Sequence, residues 1–127
     1  MIKIDIDNAL TLQKLVIDMT GGTFGIRDSA LLDSALNTAF QTIEGNELYP
    51  TIEEKGARLG FNLVSNHAFV DGNKRMGLLV MLTFLEINGI KLSFTDDELV
   101  EIGLNLASGN MKYKNLLEWI NNHKIQK

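Results

Sequence analysis

The chain has 127 residues, 45% hydrophobic and 22% charged, which is the size and make-up of one ordinary globular domain. It has no cysteine, which excludes a disulfide scaffold, a thiolate metal site and a cysteine nucleophile and suits a reducing, cytoplasmic setting. A net charge of −4 gives no bulk attraction to DNA or to an anionic membrane, and the opening Met1-Ile2-Lys3-Ile4-Asp5, interrupted by acid and followed by no long apolar stretch, argues against a signal peptide.

Leu12, Leu15, Val16 and Met19, at i, i+3, i+4 and i+7, predict the inward face of a helix of about four turns, stopped by Gly21-Gly22. Asp28 is suited to cap the next helix, which turns Leu32, Ala35, Leu36 and Ala39 inward. Residues 41–50 lose the pattern; Gly45, Asn46 and the single proline predict an exposed loop or short hairpin. Thr51 and Glu54 fit a capping box opening a helix with Ile52, Gly56, Leu59 and Leu63 on one stripe, and one further step reaches His67. Helicity should break near Val70-Asp71-Gly72, resume around Asn73 and end at Asn88-Gly89.

Residues 78–82, then Phe84 and Leu85, are apolar nearly all round, as in a helix at the middle of a domain. The most apolar run, residues 76–85, is too short to cross a bilayer. Thr95 and Glu98 form another capping-box candidate, ahead of inward-facing Leu99, Ile102, Gly103 and Leu106. Ser108-Gly109-Asn110 reads as a turn, and Tyr113, Leu116, Leu117 and Ile120 as the stripe of a last amphipathic helix. With no strand series, repeat or linker, the expected architecture is all-α. It is one domain over residues 1–127, a bundle of about six helices around the one that starts near Asn73.

His67-Ala68-Phe69-Val70-Asp71-Gly72-Asn73-Lys74-Arg75 gathers a base, a carboxylate, a glycine and two cations at the junction of two predicted helices. A helix N-terminus offers unpaired N–H groups and the positive end of a dipole, so it suits a phosphate. Gly72 allows close approach to the backbone. Lys74 and Arg75 oppose the dipole at a helix start, a conflict that a bound anion relieves. Asp71 supplies a hard oxygen ligand suited to Mg²⁺ shared with phosphates, and His67 can take a proton at neutral pH. Each residue also has a plain structural reading. His67 can be a hydrogen-bonded surface residue, Asp71-Gly72-Asn73 an ordinary turn, Lys74 and Arg75 a solvated face, and Phe69 a core anchor. Those readings do not require all of the residues together.

This nine-residue run closely resembles the signature loop of the Fic/Doc family in its Doc (death-on-curing) branch. Gly25-Ile26-Arg27-Asp28, Leu31-Leu32-Asp33-Ser34-Ala35-Leu36, Tyr49-Pro50 and Phe84-Leu85-Glu86-Ile87-Asn88-Gly89 resemble Doc-type segments in the same order. The resemblance implies a Fic-like helical bundle. It also implies that His67 deprotonates a Ser, Thr or Tyr hydroxyl on a target protein, that Asp71 holds Mg²⁺, and that the loop backbone at Gly72 and Asn73, with Arg75, binds the phosphates of ATP. Residues 41–50 would then be the flap that aligns the target.

Two departures bear on the subtype. AMP-transferring relatives carry glycine where this chain has Lys74, and a second arginine where it has Leu78. Doc-type toxins share both changes, and the resemblance implies reversed nucleotide binding and transfer of the terminal phosphate, with Lys74 and Arg75 at the phosphates. The implied target is a translation elongation factor. The family's inhibitory motif, Ser or Thr four residues before Glu-Gly, is missing: Phe40 stands at that distance from Glu44-Gly45. Inhibition would come from a separate antitoxin. The competing readings are AMP transfer and a catalytically idle nucleotide- or partner-binding module. A zinc hydrolase is disfavoured because His67 and His123 leave too few ligands, and DNA binding because no basic recognition helix is visible.

Overall fold

The computed structural model describes residues 1–125. Most helix starts follow from side chains that satisfy otherwise unpaired N–H groups. Asp5 and Asn8 form a reciprocal box that opens α1 (Ile6–Thr20). Asp28 accepts the Leu31 N–H to open α2 (Ser29–Thr38). Thr51 with Glu54 opens α3 (Ile52–Asn66), and Thr95 with Glu98 opens α5 (Asp96–Ser108). Between them lies α4 (Asn73–Ile87), and α6 (Tyr113–His123) closes the bundle. Residues 41–50 carry a minimal antiparallel hairpin, β1 (Thr42–Ile43) and β2 (Asn46–Glu47). Its turn residues Glu44 and Gly45 both have positive φ, 52° and 81°, as a tight hairpin turn of the primed type requires.

The bundle is all-α, and its centre is the antiparallel pair α3 and α4. One core cluster fills the side facing α1 and α2, around Leu32, Leu36, Leu59, Leu63, Met76 and Phe84. The other fills the side facing α5 and α6, around Val64, Met81, Leu85, Ile102, Leu116 and Ile120. The helix beginning at Asn73 is buried as its composition implies, and it shares the centre with α3, which touches α2, α4, α5 and α6. No helix among the described residues is long and apolar enough to cross a membrane.

Two expectations are corrected. The buried stripe of α1 is Ala9, Gln13 and Val16, with Leu12 half-buried, while Leu15 and Met19 are 53% and 84% exposed. The inward face is therefore rotated by about 60° from the apolar stripe, since a step of three residues at about 100° each falls about 60° short of a full turn. The reason is polar: the Gln13 side chain is wanted inside, where it binds the main chain of Gly25. Helicity also ends earlier than expected. It stops at Asn66, and His67 already leaves the helical path with φ 52° and ψ 45°.

The α3–α4 pair depends on glycine. A Cβ on Gly77 would lie 2.5 Å from Val64 Cγ2 and 3.0 Å from the main-chain oxygen of Gly60 and nitrogen of Val64. A Cβ on Gly60 or Gly56 of α3 would lie 2.9 Å from Met81 Sδ or 2.6 Å from Leu85 Cδ2 of α4, contacts with side chains alone. Gly77→Ala should therefore push the helices apart. The overpacking cost of about 1–3 kcal/mol exceeds the helix propensity of up to about 1 kcal/mol that alanine gains over glycine. Urea unfolding should show a net loss of stability. A variant as stable as the parent would mean that the close approach is not required.

Candidate active site

The nine-residue motif occupies the connection between α3 and α4, so the close helix pair fixes both of its ends. His67 is the C-cap of α3 in the left-handed region, a conformation that favours glycine and is uncommon among other residues, histidine being one of those that enter it more often. Its side chain is exposed. Ala68 and Phe69 then turn inward and are fully buried, so Phe69 is the core anchor of the loop. Val70 and Asp71 return to the surface, and Gly72, at φ 77°, makes the turn into α4.

A second segment holds the loop down. The Arg27 and Asp28 N–H groups both donate to the Ala68 carbonyl, at 2.8 and 3.1 Å, and the Val70 N–H donates to the Gly25 carbonyl at 3.1 Å. Gln13, fully buried on α1, donates from Nε2 to the Gly25 carbonyl and accepts the Gly25 N–H on Oε1. The Thr23 N–H donates to Asp71 Oδ2 at 2.8 Å. The Arg27 guanidinium donates from Nε to the His67 carbonyl at 2.6 Å and from Nη2 to the Asn66 carbonyl at 3.2 Å. Within the loop, Asn73 Oδ1 accepts the Phe69 N–H and Asn73 Nδ2 donates to the Phe69 carbonyl.

The start of α4 is the chemically open end. No side chain caps it, and its first intrahelical bond runs from the Met76 N–H to the Gly72 carbonyl. The N–H groups of Asn73, Lys74 and Arg75 are therefore directed out of the helix start, with the positive end of the dipole. Lys74 and Arg75 are exposed beside them. Both line a groove of about 560 Å³ whose floor includes Val16, Leu78 and Gly103. The arrangement places His67, Asp71, Gly72, Asn73, Lys74 and Arg75 in one loop and the first turn of one helix. The Asn73 side chain is committed to the loop, which leaves its main-chain N–H at the open helix start.

The other histidine is elsewhere. His123 Nδ1 donates to the Trp119 carbonyl, and Nε2 lies 2.5 Å from Glu98 Oε2. Both neighbours are acceptors, so the Glu98 carboxylate holds His123 above the usual histidine range while the bond lowers Glu98. That pair ties α6 to the start of α5. Among the described residues no three His, Asp or Glu side chains gather as a metal-binding group.

The sequence pattern of the Fic/DOC family matches residues 3–85, from α1 into the last turn of α4 and including the entire loop. The chain belongs to the Fic/DOC family. A protein of Mycolicibacterium smegmatis named Toxin Doc is 44% identical to it over 73 residues. That stretch is 58% of this chain and 56% of the relative, so the likeness spans little more than half of the relative's length.

In this Fic/Doc chain the sequence motif names the exposed chemistry but not what supports it. Gln13, Thr23 and the Arg27 side chain were not legible as partners of the loop. The available signals were a glutamine lying among apolar positions of α1 and the Doc-like Gly25-Ile26-Arg27-Asp28 segment. Asn73→Ala tests the internal clamp. It strips the buried Phe69 main chain of both side-chain partners, and an unsatisfied buried group costs about 1–3 kcal/mol. Urea unfolding should show that loss together with faster hydrogen exchange at the Phe69 amide. Unchanged stability and unchanged exchange would show that Asn73 is not what closes the loop.

Proposed function

We propose that this chain is a Doc-type toxin enzyme that transfers the terminal phosphate of ATP to a Ser or Thr hydroxyl of a protein. A translation elongation factor is the target in this reading, a separate antitoxin the inhibitor, and the cytoplasm the setting. The single observation carrying it is the juxtaposition of an exposed histidine at the end of α3 with the uncapped, doubly cationic start of α4. Family membership and the partial likeness to a protein named Toxin Doc support the same reading.

The chemistry divides among the residues as follows. The N–H groups of Asn73, Lys74 and Arg75, with the two side-chain cations, hold the phosphates, and Gly72 leaves room for them to approach. A ring nitrogen of His67 takes the proton of the target hydroxyl. That oxygen forms the new bond to the γ-phosphorus as the bond from phosphorus to the β–γ bridging oxygen breaks, and ADP leaves. Asp71 fits a hard cation, since it is an exposed carboxylate with Oδ2 engaged by the Thr23 N–H. Mg²⁺ bound there would neutralise phosphate charge. The exposed β1–β2 hairpin is suited to align an extended stretch of the target.

The terminal phosphate is preferred over AMP because of Lys74 and Leu78. Leu78 is 7% exposed and built into the core beside Met81 and Ile102, so it offers nothing to a triphosphate tail. The aliphatic stem of Lys74 lies against Gly103 of α5, where an AMP-transferring relative has glycine.

The test uses ATP labelled on either the γ- or the α-phosphate, incubated with the protein and a bacterial lysate. Label from the γ-position should enter protein. His67→Ala should reduce it by about 10²–10⁴-fold, the usual loss for a positioned general base, with thermal unfolding unchanged. Asp71→Ala should lose activity together with the dependence on Mg²⁺. Label from the α-position would make the enzyme an AMP transferase, and label from neither would favour the idle binding module.

A further inference from the structure

Left-handed His67 is the least expected backbone feature of the loop. Among non-glycine residues of the described chain only Glu44, in the hairpin turn, shares its positive φ. A residue without the freedom of glycine costs on the order of 1 kcal/mol or more in this conformation, so something must hold it there. Arg27, forty positions earlier, meets the need from both sides. Its guanidinium spans two successive carbonyls at the end of α3, Asn66 and His67, with Nη2 and Nε. Its own N–H is fixed on the next carbonyl, that of Ala68.

The chemistry is specific to arginine. The last carbonyls of an α-helix lack intrahelical donors and carry the negative end of the dipole, so they favour a cation. Two parallel donors in a rigid plane can satisfy two neighbouring carbonyls at once, whereas an ammonium is a point charge without that fork. The three carbonyls of residues 66, 67 and 68 are thereby all held by Arg27. The rotation of the chain about His67, and with it the direction of the imidazole, is fixed from outside the motif.

We propose that Arg27 is the positioning residue for His67: it holds the histidine backbone left-handed and so aims the side chain at the phosphate end of α4. The catalytic half of this inference rests on the proposed role of His67 as base; the conformational half does not. Arg27 is itself exposed, so replacing it opens no cavity in the core.

The test compares the full-length wild type with Arg27→Gln and Arg27→Lys. The His67 backbone is followed by its ¹³Cα and ¹³Cβ shifts and its HN–Hα coupling, which report φ. In the wild type these should read a single left-handed state, and in Arg27→Gln they should move toward an average over other conformations. The maximal rate of γ-phosphate transfer into lysate protein should fall by about 10–100-fold, the scale expected when a catalytic group is misplaced by about 1 Å. The ATP concentration for half-maximal rate should stay within about twofold, because no binding contact is removed. Arg27→Lys should recover part of both signals, since it restores the cation but not the fork. If Arg27→Gln does not fold, Arg27→Lys carries both measurements. Wild-type His67 signals with an unchanged rate in the variants would overturn the proposal. So would a variant whose rate at saturating ATP is normal and whose ATP requirement alone rises, since Arg27 would then be a nucleotide contact. If the wild type itself transfers no label, the proposed function fails, and the His67 backbone signals alone decide whether Arg27 holds the conformation.

Discussion

The main-chain pairing of residues 25–28 with residues 68–70 is the constraint on which the motif loop depends. The loop joins two helices that are themselves close-packed through Gly60 and Gly77, but close packing fixes only its ends. Its middle is held by the Ala68 carbonyl, which accepts from Arg27 and Asp28, and by the Val70 N–H, which donates to Gly25. Gln13 carries that constraint back into the core, because its buried amide is matched donor to acceptor with Gly25. A buried amide is tolerable only when so matched. The polar interruption in α1 and the fixed shape of the loop are thus two ends of one chain of hydrogen bonds.

The second physical theme is an electrostatic imbalance at the start of α4. The starts of α1, α3 and α5 are capped by side chains and carry acids in their first turn, as with Thr51, Glu53 and Glu54 in α3 or Thr95, Asp96 and Glu98 in α5. The start of α4 has a glycine cap, no capping side chain and two cations. By itself that arrangement is unfavourable, since cations and dipole repel. It becomes favourable when an anion lies between them. The cost is tolerated in a helix whose position is set by core packing at Met76, Val80 and Phe84 rather than by its own terminus.

The helices were legible because their signals are local: capping boxes at Thr51 and Thr95, stop signals at Gly21 and Gly109, and inward stripes repeating within a few turns. The candidate site was legible for the same reason, since its six residues lie within nine positions. What could not be read depends on distant partners. The inward face of α1 was misplaced because Gln13 answers to Gly25, beyond the end of its own helix. The break at His67 was placed late because its left-handed turn is met by Arg27, far away in the sequence. The bonds from the Asn73 side chain to the Phe69 main chain depend on the shape of the folded loop, which no local pattern announces. Gly77 gave no sign of its importance, because a glycine inside a helix shows its purpose only when the facing helix is known.

The central claim is that the start of α4 is a phosphate site. The most direct measurement is an amide NMR titration of the ¹⁵N-labelled protein with ATP and Mg²⁺. The account predicts that the largest saturable shifts fall on Gly72, Asn73, Lys74 and Arg75, where the unpaired N–H groups converge, and that the amides of α6 stay still. Saturable shifts confined to another part of the surface, or none at millimolar nucleotide, would contradict it.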